Sequence, residues 1–519
     1  MFLYIVISPF IICYGELNIN LLYLELPFLL ILSTLLYFPI ASRKVDIKNI
    51  ICSIIVVVGL YIFFDIFYSY LDKTPRISDS SDFSSLFGFS WDIGIAIILY
   101  TILIISPIIF LIKRFKKNVS KIILLKIIFV KFIFVFFLIV LFNSNIFFQY
   151  QKTVFAGVQD FDLHVGRFSS ILFYNSQELF VKRKVHSYEN NENQVDVNKI
   201  LFNDKINTKR NVYFILLESF IDPRLIEDVE FDKSPLYEGI LPFLKDGEFS
   251  YSISPVYGSG TPQAEFNLLM GVPSPKHVYM SVFKIMNGHP MSGFVNSLNE
   301  NGYNIFATVA TGSDFYNSRL AHKSVGLNKV FYLLEEEDFE KNEKDKLVFD
   351  GDLFEYSYDK LKEMQSPFFF YNLGMYGHFP HKRNYEDRPD LINATSEIES
   401  VQKVAQKIAN QFYYRTEALA EYLNKIIEND PNSVILVISD HIPPIMKAGA
   451  KYKYEDIKKN IALLIVDGEA VHFDERDHYK ISWLIWDILT ENGNAGERDV
   501  DKTITEQIYY KVLSESVGE

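Results

Sequence analysis

The sequence predicts an α-helical membrane anchor followed by an α/β domain in which helices sandwich a mostly parallel sheet. Two observations support this prediction. Residues 1–145 contain long apolar runs, whereas the remainder of the chain is mixed in polarity. From residue 211 onward, short apolar runs are separated by stretches with helical periodicity. Continuous rather than alternating apolar character is typical of strands buried on both faces, as in a parallel sheet.

The predicted anchor comprises several membrane-spanning helices. Four apolar runs are each near the ~20 residues that a helix needs to cross the hydrocarbon core: residues 21–40, 50–70, 93–112 and 122–142. Residues 2–14 are shorter and contain Pro9, but they lack a small-residue cleavage site and a basic start, so we count them as a fifth helix rather than a signal peptide. The alternative is that these runs are buried core helices of a soluble protein. The repetition of such runs between short polar loops disfavours that alternative.

Loop charges predict the orientation of this anchor. Basic residues concentrate in the loops at residues 43–48 and 113–121. By the positive-inside rule these loops are cytoplasmic. The last predicted helix then delivers everything after residue 143 to the outer face of the membrane.

A connector of residues 146–210 is predicted between the anchor and the domain at residues 211–519. Residues 161–180 have the pattern of an amphipathic helix, lying on the membrane surface or packing against the domain. Residues 189–210 are rich in Asn, Asp, Glu and Lys, which is typical of a solvated linker, and we place the boundary near Lys209. The formal net charge of -13 argues against a nucleic-acid binder.

Five apolar runs predict the buried strands of the α/β domain. These runs are residues 212–217, 303–309, 368–373, 434–438 and 461–466, and helical periodicity in residues 401–428 and 481–491 supplies covering helices. Both cysteines, Cys13 and Cys52, lie in the apolar segments, so no disulfide is expected in this domain. A domain of this size can bury a sufficient core without one.

Metal-ligating residues follow two of the predicted strands. Glu218 comes directly after the run 212–217, and the pair Asp440 and His441 follows the run 434–438. Ligands of open α/β sheets bind at the carboxyl ends of strands. One Glu, one Asp and one His form a mixed oxygen and nitrogen ligand set that suits Mn²⁺, Mg²⁺ or Zn²⁺, with one position left for a reacting oxygen.

Thr261 is the candidate for that reacting oxygen. It precedes Pro262, which fits a first helical position, so we expect Thr261 to be the N-cap of a helix. A divalent cation lowers the pKa of a hydroxyl and makes it a competent nucleophile toward phosphorus. The exposed amides of a helix N-terminus would also stabilise phosphate oxygens. The alternative is that Thr261 serves only as a cap.

Four ordered motifs resemble those of the lipoteichoic acid synthase and phosphoglycerol transferase family, in the alkaline phosphatase and sulfatase superfamily. They are NVYFILLESF at 211–220, GSGT at 258–261 with Glu265 and Phe266, GHFP at 377–380, and ISDH at 438–441. The resemblance covers residues 211–492, and the predicted anchor matches as well. It implies an alkaline phosphatase/sulfatase-like fold and a location in the bacterial inner (cytoplasmic) membrane, with the catalytic domain facing the periplasm or the cell exterior.

The resemblance also implies roles for individual residues. Glu218, Thr261, Asp440 and His441 match the family's metal-binding residues, with Mn²⁺ as the preferred ion and Thr261 as the nucleophile that becomes phosphoglycerylated. His378 matches a histidine that contacts the substrate phosphate and protonates the leaving group, although without the family it would be read as a surface residue. His381 has no counterpart, and we expect it to be a bystander.

One segment departs from the family pattern. Relatives carry a His-Gly pair followed by Phe-Trp-Asn-Arg, whereas residues 311–319 read TGSDFYNSR. Both His and Trp are missing, and Arg319 is displaced by one position. Arg319 is expected either to bind the substrate phosphate through two parallel hydrogen bonds or to form a surface ion pair.

The implied activity is transfer of phosphoglycerol from a membrane phospholipid, with phosphatidylglycerol as the expected donor, to a cell-envelope glycan or polymer. A phosphoethanolamine transferase or a phosphodiester hydrolase of the same superfamily is the alternative, although the former commonly has several cysteines in the exported domain. A sulfatase requires a Cys or Ser where this chain has Thr261. A transporter finds little support, because Glu25 and Asp65 are the only acidic residues in the predicted spans.

Overall fold

The computed structural model describes residues 167–189, 196–258, 260–275, 278, 281–345, 347–379 and 381–517, with a few single residues between 51 and 133. The predicted spans therefore lie outside the described residues, apart from those single positions. No helix among the described residues is both long and apolar enough to cross a membrane. The chain divides into two compact units, Met1–Arg183 with His277–Met280, and Lys184–Lys276 with Ser281–Glu519. The predicted domain boundaries stay a prediction.

The described residues form eleven strands and nine α-helices. The strands are β1 (Val212–Leu217), β2 (Glu230–Phe231), β3 (Ser250–Ile253), β4 (Asn304–Val309), β5 (Lys329–Tyr332), β6 (Phe368–Gly374), β7 (Ala394–Thr395), β8 (Val434–Ser439), β9 (Lys459–Val466), β10 (Glu469–Val471) and β11 (Arg476–Asp477). The helices are α1 (Arg167–Glu189), α2 (Val197–Leu201), α3 (Thr261–Met270), α4 (Phe294–Glu300), α5 (Ser318–Val325), α6 (Asp350–Leu361), α7 (Glu399–Asn429), α8 (His478–Thr490) and α9 (Lys502–Val517).

Nine of the described strands form one mixed sheet in the order β11-β3-β9-β8-β1-β6-β4-β5, with β10 paired to β9. The predicted α/β fold, with a mostly parallel sheet, is confirmed. β1 lies in the middle and pairs in parallel with both β6 and β8. All six residues of β1 are buried, as its unbroken apolar sequence predicts.

One strand differs from the expectation in its direction. β9, the run predicted at 461–466, is antiparallel to both β8 and β3. Its apolar sequence required burial on both faces, and a strand inside a sheet is buried in this way whichever direction it runs. The five predicted strands are all present within about two residues of the predicted ends, which is the usual uncertainty of such boundaries.

Two groups of helices cover the sheet. α7 packs against α6, and α3 packs against α8 and α4. α7 and α8 extend slightly beyond the ranges predicted for them. All ten residues of α3 are buried, which makes it a central rather than a surface helix.

Part of the predicted linker is folded rather than solvated. Within residues 196–210, α2 and the following turn bury Leu201 and Phe202. The Phe202 ring lies 5.2 Å from the ring of Trp486 in α8. Two backbone amides, those of Asn207 and Thr208, donate to Leu489 O. A few apolar residues in a polar segment are thus enough to fix it. α1 overlaps the predicted amphipathic helix at 161–180, whose first six residues lie outside the described part.

Candidate active site

Three neighbouring parallel strands, β8, β1 and β6, end at the same edge of the sheet. In the register of these strands, Leu217 is paired with both Gly374 and Ser439. Glu218 and Asp440 are the next residues of β1 and β8, so the topology places them side by side. Their backbone amides continue the ladder, since Glu218 N donates to Gly374 O at 2.8 Å and Asp440 N to Leu217 O at 3.2 Å.

Glu218, Asp440 and His441 form a buried group whose ligand atoms all lie within 4.8 Å of one another. We call these three residues the metal-side group. His441 Nδ1 donates to Ile442 O at 3.1 Å, so its Nε2 lone pair is available. This Nε2 lies 3.2 Å from Asp440 Oδ2 and 3.7 Å from Glu218 Oε1. Asp440 Oδ2 is buried and accepts no hydrogen bond from the described residues. The orphaned oxygen and the oriented imidazole fit a divalent cation.

Electrostatics support the same interpretation. Burial, and next the charge of Glu218, hold the pKa of Asp440 well above its usual range. Burial would also raise the pKa of Glu218, but the charges of His441 and His378 and hydrogen bonds from Ser219 and Thr261 lower this pKa to about 2. Two adjacent buried carboxyls thus compete for a single negative charge. A bound cation would allow both to ionise.

Two serines that sequence reasoning left without a role organise this edge. Ser219 adopts a left-handed backbone conformation with φ of 49°. In this conformation Ser219 N donates to Asp440 Oδ1 and Ser219 Oγ to Glu218 Oε1, both at 2.8 Å. Ser439 Oγ accepts from Phe220 N and donates to His441 O. A non-glycine residue held at positive φ is typical of a functional site. The one signal in the sequence for this role is that Ser219 follows Glu218 and Ser439 precedes Asp440.

Thr261 reaches the metal-side group through its hydroxyl. Thr261 Oγ1 donates to Glu218 Oε2 at 2.8 Å, and the residue is 6% exposed. The predicted N-cap role is wrong: Gly260, with φ of 101°, is the N-cap, and Thr261 is the first residue of α3. The hydroxyl is directed to Glu218, so it does not cap the helix.

The N-terminus of α3 offers fewer free amides than expected. Gln263 N and Ala264 N both donate to Gly260 O, and Pro262 has no N–H. This leaves the amide of Thr261 itself as the one that could serve a phosphate oxygen in the first turn. The helix terminus therefore contributes less to anion binding than the sequence suggested.

His378 lies four residues after β6, on the same side of the sheet. It is exposed, and its Nδ1 donates to Phe379 O at 2.7 Å, so the Nε2 atom is not used by this bond. Its charge contributes to the low pKa of Glu218. His381 differs, because it is buried and its Nδ1 pairs with Gln411 Oε1 at 2.9 Å. Burial lowers the pKa of His381 to about 4, which keeps its ring neutral.

Arg319 forms a surface ion pair, which is one of the two roles that the sequence left open. Its guanidinium forms an ion pair with Glu335 at 2.9 Å and contacts Ser313 Oγ, and its side chain is 64% exposed. No hydrogen bond or ion pair joins Arg319 to the metal-side group or to Thr261 in the described part of the chain. Its predicted contact with the substrate stays a prediction.

The loop after β6 packs closely on the site. A Cβ atom at Gly377 would overlap Glu218 O and Arg415 Nη1. Arg415 is buried in α7 and donates to Asp350 Oδ2 at 2.6 Å. This ion pair supports the loop that presents His378. The glycine of the GHFP motif is the one indication of this packing in the sequence.

Residues 210–480 match the family model described as Sulfatase. A Rhizobium meliloti (strain 1021) protein named for the modification of cyclic beta-1,2-glucan is 22% identical over 238 residues, which are 46% of this chain and 36% of that protein. The chain thus spans about a third of the length of this curated relative.

Solved structures with similar folds include three transferases. The phosphoglycerol transferase GacH of Streptococcus pyogenes has 16% identity and a TM-score of 0.44, covering 65% of this chain and 92% of that one. The lipoteichoic acid synthase LtaP of Listeria monocytogenes has 17% identity and a TM-score of 0.42, covering 64% and 82%. The lipooligosaccharide phosphoethanolamine transferase EptA of Neisseria meningitidis has 12% identity and a TM-score of 0.49, covering 91% and 88%.

The family match extends over more than half of the chain, from just before β1 to the start of α8, and so includes every residue of the metal-side group and Thr261. The chain belongs to the sulfatase family, within the alkaline phosphatase superfamily.

Proposed function

We propose that this protein is a metal-dependent phosphoglycerol transferase. It moves the phosphoglycerol group of a membrane phospholipid, phosphatidylglycerol, to a hydroxyl of a cell-envelope glycan or polymer through a covalent intermediate on Thr261. The observation that supports this proposal most directly is the 2.8 Å contact between Thr261 Oγ1 and Glu218 Oε2 inside the buried metal-side group. A hydroxyl at this point is well placed to attack phosphorus.

In the first half-reaction, Thr261 Oγ1 forms a bond to the phosphorus of the donor lipid. The bond between phosphorus and the diacylglycerol oxygen breaks. The hydroxyl of Thr261, which donates to Glu218 Oε2 in the resting site, loses its proton to solvent. His378, exposed at the same edge of the sheet, donates a proton to the departing diacylglycerol oxygen. The products are diacylglycerol and phosphoglyceryl-threonine.

In the second half-reaction, the acceptor hydroxyl attacks the same phosphorus. The new bond joins the acceptor oxygen to phosphorus, and the bond between phosphorus and Thr261 Oγ1 breaks. His378, deprotonated in the first step, takes the proton of the acceptor hydroxyl. Thr261 takes up a proton from solvent, and the site returns to its starting state. Covalent catalysis of this kind splits one difficult transfer into two easier ones.

The metal-side group and Thr261 would hold the cation, which we propose to be Mn²⁺, although the same ligand set accepts Mg²⁺ or Zn²⁺. When bound, the ion lowers the pKa of the threonine hydroxyl and offsets the negative charge of the phosphoryl group. Ser219 orients the two carboxylates from its strained backbone conformation. The hydrogen bond from His441 Nδ1 to Ile442 O fixes the tautomer that leaves Nε2 free.

We further propose that residues 1–145 span the inner membrane of a bacterium and hold the catalytic unit outside the cytoplasm. The donor lipid is insoluble, and its head group lies at the bilayer surface. Attachment to the same bilayer confines enzyme and donor together, which raises their effective concentration.

The test uses the purified full chain with Mn²⁺ and phosphatidylglycerol labelled in its head group. We expect release of diacylglycerol from the wild type, and loss of this release by more than about 10³-fold in Thr261→Ala, because that variant lacks the attacking oxygen. Thr490→Ala is the matched control, since Thr490 is also a buried threonine, but its hydroxyl donates to carbonyl oxygens of its own helix, α8. Full turnover by Thr261→Ala would refute the assignment of Thr261 as the nucleophile.

Varying the substrates separates this proposal from its alternatives. Phosphatidylethanolamine as the better donor would indicate a phosphoethanolamine transferase. Free glycerol phosphate as the main product, with or without a glycan acceptor, would indicate a phosphodiester hydrolase that uses water.

A further inference from the structure

A chain of buried polar side chains meets α3 one helical turn after Thr261. Glu265 is four positions along α3, so it lies on the same helical face as Thr261. Its Oε2 atom accepts a hydrogen bond from Tyr371 at 2.9 Å and lies 3.1 Å from His322 Nε2. His322 Nδ1 lies 3.0 Å from the hydroxyl of Tyr332. We call these four residues the Glu265 network.

The network connects α3 to three other elements. Tyr371 belongs to β6, His322 to α5 and Tyr332 to β5. β6 is paired with β1, at whose end Glu218 lies. The same sheet therefore holds both Glu218 and the hydroxyl that fixes Glu265. Glu265 is 2% exposed and His322 is fully buried, so water does not compete for these bonds.

We propose that Glu265 and His322 are positioning residues, which hold α3 in the rotation and depth at which Thr261 Oγ1 reaches Glu218. This inference rests on the proposed function in one respect, namely that Thr261 is the nucleophile. Neither residue contacts the metal-side group directly. Each acts through the placement of α3.

Two features show why α3 needs such a restraint. The chain before it contains Gly258 at φ of 67° and Gly260 at φ of 101°, so its backbone restrains Thr261 weakly. At the C-terminal end of α3, Ser482 Oγ donates to Leu268 O and Trp483 Nε1 donates to Gly271 O at 2.8 Å. Apolar side chains of the helix, such as Phe266 and Leu269, are buried as well. Apolar burial is non-directional, whereas hydrogen bonds constrain distance and angle. The Glu265 network supplies the directional restraint that joins α3 to β5, β6 and α5 one turn from Thr261.

The experiment measures kcat and KM of full-length Glu265→Gln with Mn²⁺ and phosphatidylglycerol. This variant keeps the shape of the side chain but weakens its bonds to His322 and Tyr371. We expect kcat to fall about 10- to 100-fold, because misplacement of a reacting group by ~1 Å costs up to this much, while KM stays within about twofold. His322→Gln, which retains a donor toward Glu265, should lose less than His322→Leu.

Asp487→Asn is the matched control. Asp487 in α8 is also a buried carboxylate, and it is paired with Arg498 at 2.8 Å. Its substitution by Asn removes one negative charge, as Glu265→Gln does. We expect this variant to unfold at lower temperature and yet to keep kcat per folded molecule within about twofold of the wild type, since the hydrogen-bond partners of the Asp487 side chain, Arg498 and Gly496, lie outside α3. An equal loss of kcat in both variants would mean that Glu265 contributes only stability.

Hydrogen exchange gives a readout that does not depend on turnover. In Glu265→Gln we expect faster amide exchange in the first turn of α3 than in the wild type, with Asp487→Asn unchanged there. Unchanged exchange together with unchanged kcat would overturn the positioning role. If the wild type releases no diacylglycerol, the proposed function fails, whereas the exchange comparison still decides the positioning role.

Discussion

Two buried clusters that combine carboxylate and histidine contact α3 one helical turn apart, at Thr261 and at Glu265, and they differ in how completely their polar atoms are paired. In the Glu265 network, Glu265 Oε2 and both nitrogens of His322 have partners. In the metal-side group, Asp440 Oδ2 accepts no hydrogen bond from the described residues, and the pKa values of its two carboxyls move apart. Burial of acidic residues and histidine therefore does not identify a metal site by itself. Unsatisfied ligand atoms distinguish the two clusters.

The largest expected effect comes from removing a metal-side carboxylate. Asp440→Asn should lower kcat by more than about 10³-fold, because it removes one ligand and one charge from the site that stabilises the transferring phosphoryl group. Glu265→Gln should lose about tenfold to hundredfold. Steady-state kinetics of the two variants measures both losses of kcat. Equal losses would contradict the distinction between the two clusters.

Cation binding should depend on the metal-side group and not on the Glu265 network. We expect Mn²⁺ to raise the unfolding temperature of the wild type, since a ligand at a hundredfold excess over its Kd adds about 2.7 kcal/mol to the free energy of unfolding. Glu265→Gln should retain this rise, and Asp440→Asn should lose most of it. Differential scanning calorimetry with and without Mn²⁺ measures both. A rise that persists in Asp440→Asn would place the cation elsewhere.

The pH dependence of the metal-free protein gives a third contrast. Because the pKa of Asp440 is raised by burial, and next by Glu218, the folded protein keeps a proton that the unfolded chain loses above ~3.9. The free energy of unfolding should therefore fall as pH rises from about 4 toward the raised pKa. Asp440→Asn carries no titrating carboxyl there and should lose this part of the dependence. Chemical denaturation in chelator at pH 5 and pH 8 tests it, and parallel pH profiles for wild type and variant would contradict it.

The smallest effect is expected at the outer end of the Glu265 network. Tyr332→Phe removes one hydrogen bond to His322 but leaves both bonds to Glu265. This variant should lower the free energy of unfolding by about 1 kcal/mol and change kcat by less than about threefold. A loss of kcat as large as that of Glu265→Gln would show that the network acts as one unit rather than through Glu265.

The metal-side group could be predicted from the sequence because its residues come just after two strands. Unbroken apolar runs end at Leu217 and at Ile438, and parallel neighbours in a sheet bring the residues that follow them to one edge. The α/β fold followed from the same runs. The antiparallel direction of β9 did not, because its burial pattern is the same in either direction.

The Glu265 network was not accessible in this way. His322 is 57 positions and Tyr371 106 positions from Glu265, and they come from two different elements. No local spacing encodes such a contact. The N-cap assignment failed for a related reason, because the partner of the Thr261 hydroxyl is Glu218, a residue 43 positions away, rather than an amide of its own helix.

The central claim is that Thr261 carries the transferred group, and the most direct measurement is mass spectrometry of the protein quenched during turnover. The wild type, incubated with Mn²⁺ and phosphatidylglycerol without an acceptor, should yield a peptide containing Thr261 that is heavier by one phosphoglycerol group. Thr261→Ala should yield none, and Thr490→Ala should yield the same adduct as the wild type. An unmodified Thr261 during active diacylglycerol release, or an adduct on another residue, would contradict the account.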